Sequence, residues 1–395
     1  MKKQDRVVAE RHRASGSNSR FDGGQLPFTD YVARTREMIA RSRGGAAADN
    51  LEAIVDGNAP FGLKPAPGFP PGQKKTYRRG VLLTHGLTDS PYFMRHLAAL
   101  FQECGFRVMA VLLPGHGTQP GDLLDVTWQE WAKAVAYGTD RIAEEADEVY
   151  LAGFSAGGTL SIYQSLRDDR VRGLFLFSPA LKISPRAARA NLHKFYSWLL
   201  PSAKWVDIKP DGDSYKYESF PKNAAAQMHG LTRKVCGQLR QRGITIPAFV
   251  AASLDDTTVD ARATLEFMAR AAHPCSRMVL YATETDKLPL GIAAEKLELV
   301  NSGLPAQKIL GSAHTAIVLP AEDGHYGTGG DYRNCIHYYP GDMGKYDACK
   351  GGAADVWQGE ITEKNLKART LRRLMFNPHF AMLKASIKRF IGGLG

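Results

Sequence analysis

A serine between glycines is the feature of this sequence best suited to covalent chemistry. Residues 153–157 read Gly-Phe-Ser-Ala-Gly, after an apolar run and before a second apolar stretch. This order predicts a strand, a sharp turn with Ser155 at its apex, and a helix whose N-terminus faces any negative charge formed there. The turn needs glycines because a Cβ would collide with the adjoining strand and helix. The pentapeptide alone is a weak signal, so the rest of the chain has to support it.

A serine nucleophile needs a base to take its proton and a carboxylate to orient that base. In a parallel sheet of this kind the acid follows the serine, and the histidine follows the acid. The apolar run 247–254 ends in Asp255 and Asp256. We predict Asp256 as the acid, because the valine three residues later can pack under the turn. Asp255 is the alternative, and either aspartate can instead cap the next helix.

Five histidines follow these aspartates, at positions 273, 314, 325, 337 and 379. We predict His314 as the base, because it directly follows an apolar run, predicted as a short strand over 308–313, and precedes another apolar run. His325, in a Gly-His-Tyr-Gly loop, is the alternative. Any of the five can instead be a buried loop residue with a hydrogen-bonding role.

Acyl transfer also needs two N–H groups that hold the developing oxyanion. One donor should be the N–H of Ala156, the residue after the serine. The second should come from the loop after the first core strand, where Gly86 lets the backbone turn the N–H of Leu87 toward Ser155. His85 is predicted to brace that loop.

The elements that would position these groups alternate between apolar strands and amphipathic helices. Strands are predicted at 80–84, 106–113, 148–152, 171–178, 244–254 and 277–282, and helices at 92–104, 128–146, 157–167 and 257–272. This alternation is typical of a parallel, doubly wound α/β sheet.

Five segments are predicted along the chain. They are an N-terminal extension (1–78, with a disordered start to residue 25, two helices and a Pro-rich linker), a first core part (79–180), a cap insertion without clear strands (181–243), a second core part (244–320, with a polar or helical insertion at 284–306) and a C-terminal extension (321–395). The last segment contains two helix-like basic stretches, at 365–376 and 379–391.

The net charge of +11 is located in the ends of the chain. Residues 1–20 contain six Lys and Arg against two acids, and residues 364–395 contain eight Lys and Arg and no acid. The body between them is nearly neutral, which argues against a nucleic-acid partner. The basic C-terminal tail allows two interpretations: a solvated or docked helix, or a peripheral contact with anionic membrane lipid.

The five cysteines form no Cys-x-x-Cys pair, so they predict neither a zinc site nor a thioredoxin-like site. The N-terminus lacks an apolar core after its charges, which predicts no secretory signal and a cytoplasmic location. Reduced thiols are the expectation there, although Cys335 and Cys349 flank one loop and could pair.

Four segments resemble the α/β-hydrolase superfamily, in particular its bacterial carboxylesterase and monoacylglycerol-lipase-like branch. They are His-Gly-Leu-Thr-Asp-Ser-Pro (85–91), Leu-Pro-Gly-His-Gly-Thr (113–118), Gly-Phe-Ser-Ala-Gly-Gly (153–158) and Asp-Asp-Thr-Thr-Val (255–259). The resemblance implies Ser155 as nucleophile, Asp256 as acid, His314 as base, and Leu87 and Ala156 as oxyanion donors. It also implies a helical cap at 181–243 and chemistry without cofactor or metal.

The expected function is therefore hydrolysis of carboxylic esters through an acyl-enzyme intermediate. Medium-chain acyl esters or monoacylglycerols are the expected substrates, because the cap segment is aromatic rather than charged. The same residues could cleave amides or peptides, or pass the acyl group to an alcohol, and a catalytically silent binding protein is the rival from another class. One departure stands out: the gap from Asp256 to His314 is longer than in compact members, which predicts an insertion.

Overall fold

A computed structural model describes residues 9–44, 48–182, 201–284, 291–353 and 355–395. The described residues form two compact units. The first contains residues up to 172 together with 201–238, and the second contains 173–182 together with the residues from 239 onward. Within these ranges we find no helix that combines the length and the apolar character needed to cross a bilayer.

Strands and helices alternate from residue 77 to residue 177 and again from residue 248 to residue 282, as the sequence predicts. Up to residue 242 they are α1 (Phe28–Ser42), α2 (Ala48–Asn58), β1 (Phe61–Leu63), β2 (Tyr77–Thr84), α3 (Arg95–Glu103), β3 (Phe106–Val111), α4 (Trp128–Glu145), β4 (Ala146–Phe154), α5 (Ala156–Ser165), β5 (Val171–Phe177), β6 (Trp205–Asp207), β7 (Phe220–Pro221) and α6 (Lys222–Arg242). Beyond it they are β8 (Ala248–Ser253), α7 (Ala261–Arg270), β9 (Arg277–Ala282), β10 (Leu297–Asn301), α8 (Met343–Gly351), β11 (Trp357–Gly359), α9 (Glu363–Ala368), β12 (Leu371–Arg373) and α10 (Phe380–Gly392).

In the first unit the strands lie in the order β1-β3-β2-β4. Strand β2 pairs in parallel with both β3 and β4, and the short β1 is antiparallel to β3. Helices α3, α4 and α5 pack on these strands. The middle of β2, Val81 to Leu83, is fully buried, as expected for a strand covered on both faces. Because β2 and β4 are parallel neighbours, their carboxyl ends lie at the same edge of the sheet, next to Ser155.

In the second unit the strands lie in the order β5-β8-β9-β10 and all three pairings are parallel. Helix α10 buries one apolar face on this sheet, where the ring of Phe390 contacts those of Phe175 and Phe249. The apolar residues of the basic tail are thus core residues of this unit. The predicted class, a mostly parallel α/β sheet with flanking helices, is confirmed.

Three predictions of local structure were wrong in the second half of the chain. The described part of 284–306 carries strand β10 rather than a helical insertion. Residues 308–313 form no strand, and only isolated bridges tie Ile309 to Leu304 and Gln358. The stretch 365–376 is helical only to Ala368 and then extends into β12, because its backbone pairs in parallel with β11.

The N-terminal segment was predicted to be disordered, but residues 9–25 are ordered. The ring of His12 is buried and its Nε2 lies 3.0 Å from a carboxylate oxygen of Asp211 and 3.1 Å from the hydroxyl of Ser219. Further along, the backbone and hydroxyl of Ser15 donate to Asp122 at 2.6 and 2.8 Å. Polar residues of this segment thus make hydrogen bonds to later parts of the first unit. Residues 1–8 lie outside the described residues.

The predicted cap insertion is described only in part, because residues 183–200 lie outside the described ranges. The remainder contains α6 and, contrary to the prediction of no strand, the antiparallel pair β6–β7. Trp205 and Tyr217, two of the aromatic residues that suggested a pocket lining, are buried. Trp205 packs edge-on to His12, and Tyr217 stacks near His116.

A disulfide joins Cys335 to Cys349 in the C-terminal extension. Reduced thiols were the expectation, with pairing left open, so the structure corrects that expectation. Both sulfurs are buried together with Tyr338, whose hydroxyl accepts the backbone N–H of Leu371 at 2.9 Å. The disulfide loop therefore supports β12 through the backbone of its first residue.

Candidate active site

Ser155 lies at a strained turn between β4 and α5. Its backbone has φ 54° and ψ −114°, a left-handed φ that residues other than glycine rarely adopt. It is the N-cap of α5 and 8% exposed. Strain of this kind persists only where the surroundings impose it, and it is concentrated at functional sites. The predicted elbow geometry is present.

Two glycines make the turn possible. A Cβ at Gly153 would lie 2.2 Å from backbone atoms of Gly157, and a Cβ at Gly157 would lie 2.1 Å from the carbonyl oxygen of Thr84. Real Cβ atoms essentially never approach backbone so closely. The strand, the elbow and the end of β2 are therefore packed backbone against backbone, which fixes Ser155 to the edge of the sheet.

The loop after β2, residues 85–90, passes directly beside the serine. A Cβ at Gly86 would lie 3.2 Å from the Cβ of Ser155. Leu87 follows in this loop, and Ala156 opens α5, whose first-turn N–H groups have no carbonyl acceptor within the helix. The two predicted oxyanion donors thus belong to segments that flank Ser155 in the first unit. Their role as donors stays a prediction.

Two buried histidines brace this loop. Nε2 of His85 accepts the backbone N–H of Leu113 at 3.1 Å, and Nε2 of His116 accepts that of Thr88 at 3.0 Å. Each ring therefore carries its proton on Nδ1, which donates to the carbonyl of Gly86 in one case and of Pro114 in the other. Burial lowers the pKa of both rings, that of His116 to about 4, so both are neutral braces.

A lysine that the sequence analysis did not single out also holds the loop. The ammonium of Lys216 forms an ion pair with the buried carboxylate of Asp89 and donates to the hydroxyl of Thr88 at 3.0 Å. The next residue, Tyr217, donates its N–H to the carbonyl of Thr88 at 2.8 Å. Thr88 has φ 67°, so these contacts stabilise an unfavourable backbone conformation. The only sequence signal was a lysine between two tyrosines.

In the second unit the predicted acid and base are hydrogen-bonded to each other. Nδ1 of His314 lies 2.6 Å from a carboxylate oxygen of Asp256, and both side chains are buried. The other oxygen accepts the N–H groups of Thr258 and Val259 at 2.7 and 3.0 Å. Burial opposes ionisation of Asp256, but His314 and these N–H groups outweigh it and lower the pKa of the carboxyl below its usual 3.8. An ionised Asp256 fixes the tautomer with the proton on Nδ1.

The alternative acid and base lie elsewhere. Asp255 accepts hydrogen bonds from the hydroxyls of Thr283 and Ser302 at 2.9 and 2.5 Å. His325 lies between the rings of Tyr326 and Tyr332 in the C-terminal extension. The structure therefore brings Asp256 and His314 together, and it gives the two alternatives packing and turn-forming contacts.

Part of the chain is similar to known proteins. A family model described as Hydrolase_4, serine aminopeptidase S33, matches residues 75–234. The chain has the α/β-hydrolase fold. It is 28% identical over 184 residues to a thermostable monoacylglycerol lipase from Bacillus sp. (strain H-257), a match that covers 46% of the chain and 71% of the relative.

A second relative is a carboxylesterase from Bacillus subtilis (strain 168), 33% identical over 85 residues, or 21% of this chain and 35% of the relative. A solved structure reported for the metagenome-derived lipolytic enzymes LipS and LipT is similar with a TM-score of 0.47 at 22% identity. The match covers 56% of this chain and 86% of the other chain. The prediction of a lipase- and esterase-like α/β-hydrolase is confirmed by the family model and the curated relatives.

Proposed function

We propose that this α/β-hydrolase cleaves carboxylic esters through an acyl-enzyme intermediate on Ser155. The observation that carries the proposal is the strained backbone of Ser155 at the N-cap of α5, between two glycines that no other residue could replace. The hydrogen-bonded pair of Asp256 and His314 supports it, because a carboxylate-oriented imidazole is the base that such a serine requires.

In the proposed reaction the hydroxyl oxygen of Ser155 attacks the ester carbonyl carbon while Nε2 of His314 takes the hydroxyl proton. The tetrahedral oxyanion is held by the N–H groups of Leu87 and Ala156. Collapse breaks the bond to the alkoxide, which leaves as the alcohol with the proton from His314. Water, deprotonated by His314, then attacks the acyl carbon, and the carboxylic acid and the free serine are released. Asp256 stabilises the imidazolium at each step.

We propose medium-chain acyl esters or monoacylglycerols as substrates. The support comes from the relative that is named as a monoacylglycerol lipase. The aromatic composition of the predicted cap supports this less than the sequence suggested, because Trp205 and Tyr217 are packed inside the first unit. A peptidase is the second candidate, since the matching family model is described as a serine aminopeptidase.

The test is active-site labelling combined with a substrate panel. A fluorophosphonate probe should label the wild type, and labelling should be lost in Ser155→Ala and retained in Ser165→Ala, a control on the same helix. Nitrophenyl esters of graded acyl length should be hydrolysed, and aminoacyl nitroanilides should not. Efficient anilide cleavage would favour the peptidase. Unlabelled folded wild type would overturn the serine-hydrolase proposal.

The choice of base is tested by two histidine variants. His314→Ala should lower kcat on the best ester by about 10⁴-fold or more, as expected for loss of a triad member. His325→Ala should retain most of the activity, because that ring packs between tyrosines. The reverse result would show that His325 is the base.

A further inference from the structure

The buried carboxylate of Glu360 lies against the backbone of the proposed catalytic histidine. Glu360 directly follows β11 and is 1% exposed. Its Oε2 accepts the backbone N–H of His314 at 3.0 Å, and its Oε1 accepts the N–H of Ile361 at 2.9 Å. Burying a carboxylate in this way is costly unless a cation and hydrogen-bond donors pair with it.

Arg373, on strand β12, supplies that cation. Its Nη2 lies 3.0 Å from Oε1 and 3.1 Å from Oε2 of Glu360. The same nitrogen donates to the hydroxyl of Thr258 at 2.7 Å. Thr258 in turn donates its N–H to the carboxylate of Asp256. One guanidinium therefore connects the turn that holds the acid to the carboxylate that holds the base.

These contacts matter because the loop of His314 has little regular structure of its own. The strand expected before His314 is absent, and the loop is tied through isolated contacts to the C-terminal extension. Leu310 donates to the carbonyl of Gln358 at 2.8 Å, and the hydroxyl of Thr315 donates to the carbonyl of Leu374 at 2.8 Å. Residues 357–374 thus supply several of the contacts that hold the loop of His314, in addition to the hydrogen bond from the N–H of Ser312 to Asp255.

We infer that Glu360 and Arg373 are positioning residues for the Asp256–His314 pair, a role that rests on the proposed function. Glu360 fixes the backbone of His314 through its hydrogen bond. Arg373 contacts both Glu360 and Thr258, and it thereby links Glu360 to the turn that holds Asp256. Neither residue touches the reacting atoms. Both belong to the C-terminal extension. In this proposal the extension therefore helps to position the acid and the base.

The test compares kcat per active site in Glu360 variants. Glu360→Ala should lower kcat by about 100-fold, the order expected when a catalytic group is misplaced by about 1 Å. KM should stay within about threefold, because Glu360 does not contact substrate. Glu360→Gln should recover at least about tenfold, since its amide oxygen can still accept the N–H of His314. Titration of active sites with a fluorophosphonate corrects for any unfolded fraction.

Two controls separate positioning from general stability. Glu363→Ala removes an exposed carboxylate three residues along the chain and should leave kcat unchanged. Arg107→Ala breaks the ion pair with Glu145 in the first unit and should reduce stability without changing kcat per active site. Deuterium exchange of the peptide containing His314 should be faster in Glu360→Ala than in either control.

The outcomes distinguish this inference from the proposed function. A Glu360→Ala variant with wild-type kcat per active site, alongside Ser155-dependent turnover in the wild type, overturns the positioning role alone. A Glu360→Gln variant as impaired as Glu360→Ala shows that the hydrogen bond to the His314 backbone is not what matters, and it also overturns the role. Absence of Ser155-dependent turnover in the wild type overturns the proposed function and the inference with it.

Discussion

At the scale of single residues, the backbone of the elbow tolerates no added atom. Gly153 and Gly157 lie against each other and against the end of β2 at distances that exclude a Cβ. The left-handed φ of Ser155 is maintained by this packing. The position of the serine is thus fixed by the backbone contacts of its neighbours.

Gly157→Ala should therefore cost far more than an ordinary helix substitution. Its methyl group would meet the backbone carbonyl of Thr84, which cannot move without displacing β2, so we expect a loss of about 3 kcal/mol in the free energy of unfolding. Gly237→Ala, in α6 with open space around it, should be neutral or stabilising by about 0.5–1 kcal/mol. Urea unfolding of both variants checks this, and equal effects would contradict the steric account.

At the scale of elements, the loop after β2 is held by two neutral histidines. Burial lowers the pKa of His116 from 6.5 to about 4, and that of His85 is lowered as well. In the unfolded chain both rings take up protons near pH 6.5. Between that pH and about 4 the unfolded state binds more protons than the folded state, so the free energy of unfolding falls as pH falls through this window.

For His116 alone the expected loss between pH 7 and pH 5 is about 2 kcal/mol. Urea unfolding at the two pH values measures it. His116→Gln should show a correspondingly smaller difference, since it has no titrating ring. An unchanged pH dependence in this variant would show that other groups are responsible.

Local signals explain which elements could be predicted from the sequence. Strand β9 was predicted with its observed bounds because the five apolar residues from Met278 to Ala282 follow one another without interruption, as expected for a buried strand. Strand β12 was predicted as helix. Its extended form depends on pairing with β11, and no local sequence pattern indicates that pairing. The loop before His314 was predicted as a strand for the opposite reason: its composition is strand-like, but it forms only isolated bridges.

The residues of the candidate site also differ in whether the sequence alone could reveal them. The order serine, acid, histidine narrowed the candidates, and local signals then selected Asp256 for the valine that follows it and His314 for the apolar runs beside it. Lys216 and Glu360 could not be found, because a charged residue in a loop carries no periodic signal. Their partners lie 128 residues away at Thr88 and 46 residues away at His314, and only the folded chain shows these contacts.

At the scale of the whole molecule, the positive charge remains concentrated toward the ends of the sequence. The last helix, α10, buries Leu383, Ile387 and Phe390 in the second unit, whereas Lys388 and Arg389 are exposed and Lys384 is half-buried. Its apolar face is therefore engaged within the protein. Any attraction to an anionic surface has to come from the charges on the outer face.

Lys384→Gln combined with Lys388→Gln should weaken binding to phosphatidylserine vesicles at low salt, by about 1 kcal/mol for each charge near the surface. Lys74→Gln combined with Lys75→Gln, which removes the same charge elsewhere, should have a smaller effect. Vesicle co-sedimentation with increasing salt measures both. Equal binding by both double variants would contradict a specific role of α10 in binding the vesicles.

The contacts of the buried His12 ring with Asp211 and Ser219 have a consequence for biosynthesis. His12 leaves the ribosome before its partner Asp211, which follows 199 residues later. At about 5–20 residues per second the segment waits roughly 10–40 s for its partner. During that time its polar, basic character keeps it solvated. We therefore expect the N-terminal segment to dock late, after the strands between them have formed.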